Sequence, residues 1–220
     1  MNMKISSEEI YNDILKKIIN LELEPGSMIS ENKICEEYNV SRSVIRNVFA
    51  RLSQINFINI YPQRGTYINK ISPEYLKTAL IIRAAIEKEM IYRLLKLEDK
   101  NDILKKMQTN INQQENLSRM QENQEEFNRL DEEFHKYILS VENNSIMPLI
   151  DVYLLHIKRW KNIYIKMESD RRVIQLIEEH KQILNAIKEN QLSKALECMS
   201  THIHTIEDMV EFNKYTNYFE

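Results

Sequence analysis

Apolar side chains recur at helical spacing along most of this chain, and the interruptions of that period divide it into two unlike parts. In the first part, Ser6 and Glu9 form a capping box ahead of Ile10, Ile14, Leu15 and Ile18. This predicts an amphipathic helix that ends before the turn Leu23-Glu24-Pro25-Gly26. Ser30 caps a short helix with Ile34 and Cys35 inward, the chain turns at Tyr38-Asn39-Val40, and Ser41 caps a third helix with Val44, Ile45, Val48, Phe49 and Leu52 apolar. The spacing is that of a helix-turn-helix. Phe57-Ile58-Asn59-Ile60-Tyr61 and Thr66-Tyr67-Ile68 then read as strands joined by Pro62-Gln63-Arg64-Gly65, a hairpin with a basic tip. The hairpin is the wing of a winged helix.

The second part has different punctuation. Gly26 and Gly65 are the only glycines, and beyond Gly65 only Pro73 and Pro148 can break a helix. Ser72 and Pro73 suit the start of a helix, so the boundary is placed there: a winged helix-turn-helix over 1–70 and an all-helical domain over 71–220. Breaks near Asp99-Lys100-Asn101, Met120 to Gln124, Glu142 to Ser145, Glu168-Ser169-Asp170 and Asn190-Gln191 predict about six helices. The expected fold is mainly α, a winged helix followed by an antiparallel helical bundle.

A net charge of −3 argues against nucleic acid until its distribution is considered. Residues 41–70 carry Arg42, Arg46, Arg51, Arg64 and Lys70 with no acid, whereas residues 1–40 carry four Lys against eight acids. Positive charge confined to the third helix and the wing is what a phosphate-facing surface requires. Arg42 and Arg46 share one helix face, opposite Ile45 and Phe49, where each can pair bidentately with guanine in a major groove. Ser41 and Ser43 would hold phosphate, Arg51 would touch the backbone or simply face solvent, and Arg64-Gly65-Thr66 would enter the adjacent groove. Two such heads multiply affinity for a two-fold operator, so a homodimer on double-stranded DNA is expected.

Three helices of the second part carry polar residues on their apolar stripes, where an unpaired charge is costly. Asp131 and His135 lie one turn apart beside Phe127, Leu130, Phe134 and Ile138; His180 lies among Ile177, Leu184 and Ile187; His202 lies among Cys198, Ile206 and Met209. Taken singly, each histidine reads as a satisfied core or surface residue; together with Asp131 they offer three nitrogens and one oxygen to a divalent metal such as zinc, with nickel or manganese also compatible. His204 faces another way, and nothing in the sequence pairs His156. Cys35 and Cys198 are far apart and lack a CxxC partner, so both read as core residues. With neither a membrane-length apolar run nor a secretory leader, a cytoplasmic location without membrane attachment is expected.

The run Tyr11, Ile14, Ile18, Leu23, Pro25-Gly26, Ser30-Glu31, Ile34, Tyr38 to Arg46, Leu52 and Arg64 to Ile68 resembles the GntR family of transcription regulators, over about residues 8–69. The chain departs at Asn47-Val48-Phe49, where Glu-Ala-Leu is usual, and at Asn56, where glycine is usual. Residues Arg83 to Glu87, Asp131 to His135, Glu179-His180 with Ile183, Ala186-Ile187, Ala195 and His202-Ile203 resemble the FCD effector domain of the FadR subgroup. That resemblance implies a metal held by the Asp and three His, with open positions for a small carboxylate effector. Arg83 can clamp such an acid or pair with Glu87 along its own helix. Two other readings stay open: a metal-dependent hydrolase with a DNA-targeting head, with Glu132, Glu133 or Glu179 as general base despite the absence of a His-Glu-x-x-His motif, and a regulator whose bundle takes an apolar ligand without metal.

Overall fold

The computed structural model describes residues 5–120, 124–142, 146–167, 171–208 and 218–219. Helix α1 spans Ser7–Ile19, and its start is the predicted capping box: Glu9 N–H donates to Ser6 Oγ at 3.1 Å while Ser6 N–H donates to the Glu9 carboxylate at 2.8 Å. A two-residue strand β1 (Met28–Ile29) follows the turn at Gly26, whose φ of +81° favours glycine. Helices α2 (Glu31–Tyr38) and α3 (Arg42–Gln54) are separated by Asn39 in the left-handed conformation, which makes the tight turn of the motif. Strands β2 (Ile58–Tyr61) and β3 (Gly65–Ile68) form the wing hairpin.

All three strands are antiparallel in the order β1-β3-β2, with Met28 opposite Tyr67 and Ile58 opposite Ile68. Strand β1 has no counterpart in the sequence reading, because two residues carry no period and exist as a strand only by pairing with β3. Ile10, Ile14, Ile18, Ile34, Ile45, Val48, Phe49, Leu52, Phe57, Ile58 and Ile68 close one core. Asn56 adopts a φ of +61°, and Asn69 Nδ2 donates to both its main-chain oxygen and its Oδ1. An asparagine thus fills the position where glycine is usual, because its short side chain tolerates that backbone and finds a partner there.

The second part forms α4 (Pro73–Lys96), α5 (Asn101–Met120), α6 (Gln124–Leu139), a short 3-10 turn at Ser140–Glu142, α7 (Met147–Met167), α8 (Arg171–Lys188) and α9 (Leu192–Asp208). The expected breaks near 99–101 and 190–191 agree with these bounds; Gln121 to Asn123, Asn143 to Ser145 and Glu168 to Asp170 lie outside the described residues. By contact, the chain separates into two compact units. One comprises residues 1–76, 155–164 and 211–220, and the other 77–154 and 165–210. The middle of α7 therefore packs with the winged helix, and the second unit is a bundle in which α8 packs on α9 and α5 packs on both α6 and α8.

Candidate metal centre and nucleic-acid interface

Helix α6 presents Asp131 and His135 from successive turns, because Leu130, Phe134 and Ile138 turn the same face into the bundle core. Helices α8 and α9 bring His180 and His202 to them. All four side chains are buried, and one ligand-type atom from each lies within 4.8 Å of the others. His135 Nε2 and His202 Nε2 are 3.1 Å apart, and His180 Nε2 is 3.5 Å from Asp131 Oδ1. Phe134 stacks on the His180 ring at 4.2 Å and helps fix its plane.

The opposite nitrogen of each ring is occupied. His135 Nδ1 lies 2.6 Å from Glu87 Oε2, His202 Nδ1 lies 2.8 Å from Glu179 Oε2, and His180 Nδ1 lies 2.9 Å from Gln114 Oε1. Burial alone would push the Glu87 carboxyl up, but the charges of Arg83 and His135 and the hydrogen bonds from both hold it at about 2. An ionised carboxylate only accepts, so His135 Nδ1 carries the ring proton. Burial first, then the charge of Arg83, pushes His135 down to about 4, so the ring is neutral at pH 7 and its Nε2 is a lone pair. That lone pair points at His202 Nε2, and a cation held between the two nitrogens would satisfy both. The donor set thus fits a borderline divalent ion.

Arg83, the expected effector clamp, is buried, and its Nε donates to Glu87 Oε1 at 2.6 Å. The structure realises the intrahelical pair. His204 is exposed and bonds Ser200 O, apart from the cluster. Sequence reasoning missed Glu87 and Gln114 as partners of the histidines and weighed Glu179 only as a base.

On the winged helix, Ser41 occupies the N-cap position of α3 but caps nothing, its Oγ instead meeting Ser43 Oγ at 2.8 Å. The first amide N–H groups of α3 are left without a side-chain acceptor, whereas α1 and α2 are capped by Ser6 and Ser30. An uncapped helix start suits a phosphate oxygen. Arg42 and Arg64 are exposed, Arg64 on the turn that Gly65 closes with a φ of +113°. Arg46 is exposed and its Nε donates to the Glu31 carboxylate at 3.1 Å. An exposed pair of this kind is worth about 0–1 kcal/mol, so it restrains Arg46 only weakly. Arg51 is held by Glu8 at 2.8 Å and lies 4.0 Å from the centre of the Tyr11 ring, which ties α3 to α1. Thr66 faces the core from β3 and is buried, so only its main chain is available to DNA.

A third helix with a basic face, a basic wing and a helical bundle with a buried Asp-His cluster define the class: a winged-helix DNA-binding regulator with a second, all-helical domain. Residues 6–68 match the model of the gntR family of bacterial regulatory proteins and residues 79–205 match that of the FCD domain; the chain belongs to the GntR family, among members that carry an FCD domain. It is 24% identical over 205 residues to the HTH-type transcriptional repressor RspR of Escherichia coli K12, covering 93% of this chain and 88% of that one. It is 23% identical over 219 residues to the HTH-type transcriptional regulator LutR of Bacillus subtilis 168, covering 92% and 98%. Among solved structures, Escherichia coli McbR/YncC superposes with a TM-score of 0.75 at 15% identity, covering 97% of this chain and all of that one. A GntR transcriptional regulator of Rhodococcus sp. RHA1 gives 0.69 at 17% identity, covering 92% and 95%. These likenesses show the fold. The protein is a DNA-binding transcription regulator of GntR/FCD type, and since its families and relatives are regulators and not enzymes, the hydrolase reading falls. No helix among the described residues is long and apolar enough to cross a membrane.

Proposed function

We propose that this regulator acts as a homodimer, reads a two-fold operator through Arg42 and Arg46, and is controlled by a divalent metal, zinc foremost, held by Asp131, His135, His180 and His202. The observation that carries the metal half is the convergence of imidazole Nε2 atoms in a buried cluster whose Nδ1 atoms are all engaged. A metal held by these four side chains would supply Lewis acidity for a small carboxylate effector. Arg83, with its Nε held by Glu87, places positive charge beside that site, and its terminal nitrogens would receive the carboxylate of the effector. Ser41, Ser43 and the wing residues Arg64 and Gly65 position the head on phosphate, and Arg51 acts mainly through α1.

A mobility-shift titration on an operator fragment selected from random duplexes tests this reading. Metal and a panel of small organic acids are expected to change operator affinity, and an affinity indifferent to both would sink the control mechanism. In the same assay Arg42→Ala and Arg46→Ala should each weaken binding by about 1–3 kcal/mol, roughly 5- to 150-fold, and relax sequence preference at one base pair. Arg51→Ala should leave that preference unchanged. A uniform loss across all sequences in the Arg42 and Arg46 variants would reassign them to phosphate.

A further inference from the structure

Each acceptor behind a histidine is itself pinned, and the three supports differ in charge. Glu87 Oε1 takes Arg83 Nε at 2.6 Å, and Glu179 Oε1 takes Gln175 Nε2 at 2.9 Å. Gln114 Nε2 donates to Asn110 Oδ1 at 2.7 Å, while Asn110 Nδ2 donates to Leu130 O at 3.0 Å, on the residue before Asp131. The Gln114 amide is therefore oriented with its oxygen toward His180. Three chains of hydrogen bonds, starting on α4, α5 and α8, converge on the backs of the three rings.

We propose that Glu87, Glu179 and Gln114 are positioning residues that fix the Nδ1–H tautomer of all three rings, and that the two carboxylates make His135 and His202 the strong donors and set the charge of the ion. This rests on the metal reading above. A carboxylate behind an imidazole raises its basicity, whereas the neutral amide behind His180 orients it without adding charge. His180 is instead the ring nearest the Asp131 carboxylate, at 3.5 Å. Negative charge thus reaches every ring, from behind for His135 and His202 and across the centre for His180. The formal charges of Asp131, Glu87 and Glu179 against that of Arg83 leave two negative charges around the centre. A divalent cation cancels them, and a monovalent one does not.

The test is Co2+ binding by the full chain stripped of metal, followed by visible absorbance and by competition with a chromophoric chelator. Glu179→Gln is the deciding variant, because it keeps the shape and leaves no buried cation behind. Glu87→Gln is made together with Arg83→Gln for the same reason. Each is expected to bind Co2+ about 10- to 100-fold more weakly than the parent with the same band pattern, since the ligands are retained. Glu178→Gln, an exposed carboxylate next to Glu179, is expected to change nothing. Affinity in Glu179→Gln within about threefold of the parent would overturn the positioning role, on the scale that such supports usually contribute. A changed band pattern would also overturn it, by making Glu179 a ligand. A parent that binds no Co2+ would instead bring down the metal reading itself.

Discussion

Stripping the protein of divalent metal is expected to cost about 4 kcal/mol of stability where the free ion had stood at roughly a thousand times its Kd. For a chain of this size that corresponds to a fall of about 8–16 °C in the unfolding midpoint of the bundle. The magnitude has a local cause. His135 Nε2 and His202 Nε2 face each other at 3.1 Å, with both Nδ1 atoms turned to carboxylates. Burial and the charge of Arg83 push His135 down to about 4, so at neutral pH its Nε2 lone pair is available to a cation. Calorimetry with zinc and with a chelator measures the difference. His202→Gln should unfold at the same temperature under both conditions, and a parent equally indifferent to chelator would show that the cluster is a core of hydrogen-bonded histidines.

How much of this was legible in the sequence depends on how local each cause is. The helix boundaries of the bundle follow from punctuation that any unfolded segment already carries, such as Asn190, which takes a φ of +55° after α8. The four ligand-type residues were legible because a polar residue on an apolar stripe is anomalous within its own helix. Their supports were not, because Glu87 meets His135 across 48 residues and Gln114 meets His180 across 66, and neither stands out on its own helix. Arg51 shows the same limit on the DNA side: its tie to Glu8 spans 43 residues, so a helix-surface argument saw only a free cation. Spacing marks Ser41 as the cap of α3, and it does hold the N-cap position, yet its hydroxyl meets Ser43 Oγ and takes no backbone N–H, a choice between two local partners that spacing cannot make. The packing of residues 155–164 with the winged helix had no local signal, and His156 was left without a partner for that reason.

Acidification should destabilise the winged-helix unit by about 3 kcal/mol between pH 6.5 and pH 4, through His156. Helix α7 places His156, Asn162 and Arg159 at intervals of three residues on one face, and each donates to a main-chain oxygen of the winged helix. The acceptors are Ile55 O at 2.9 Å, Ile19 O at 2.9 Å and Asn69 O at 2.7 Å. Ile19 and Ile55 end α1 and α3, so α7 caps carbonyls that those helices cannot satisfy themselves. His156 is buried, stacked on Phe57 at 4.2 Å and tilted against Tyr75 at 4.6 Å. Burial pushes it down and the charge of Arg159 adds to this, while the bond to Ile55 O pulls the other way; the result is about 4, against 6.5 for the free side chain. As pH falls below 6.5 the unfolded chain takes up the proton first, so stability is complete above 6.5 and is lost steadily down to pH 4. At about 1.4 kcal/mol per pH unit, that span gives the 3 kcal/mol. Carboxyls of the same unit that are held low, Glu8, Glu9 and Asp13, begin to lose their contribution as the pH falls through the ordinary carboxylate range, so they add to the loss only at the acid end of this window, and equally with and without His156. Trp160, the only tryptophan and buried in the same stretch of α7, reports the transition by fluorescence during urea unfolding. His156→Gln keeps a donor for Ile55 O but has nothing to titrate, so its stability should be flatter between pH 7 and pH 4.5 by close to one proton. Equal slopes for the two proteins would mean that His156 is protonated in the fold and that α7 holds the carbonyl of Ile55 by a charged bond instead.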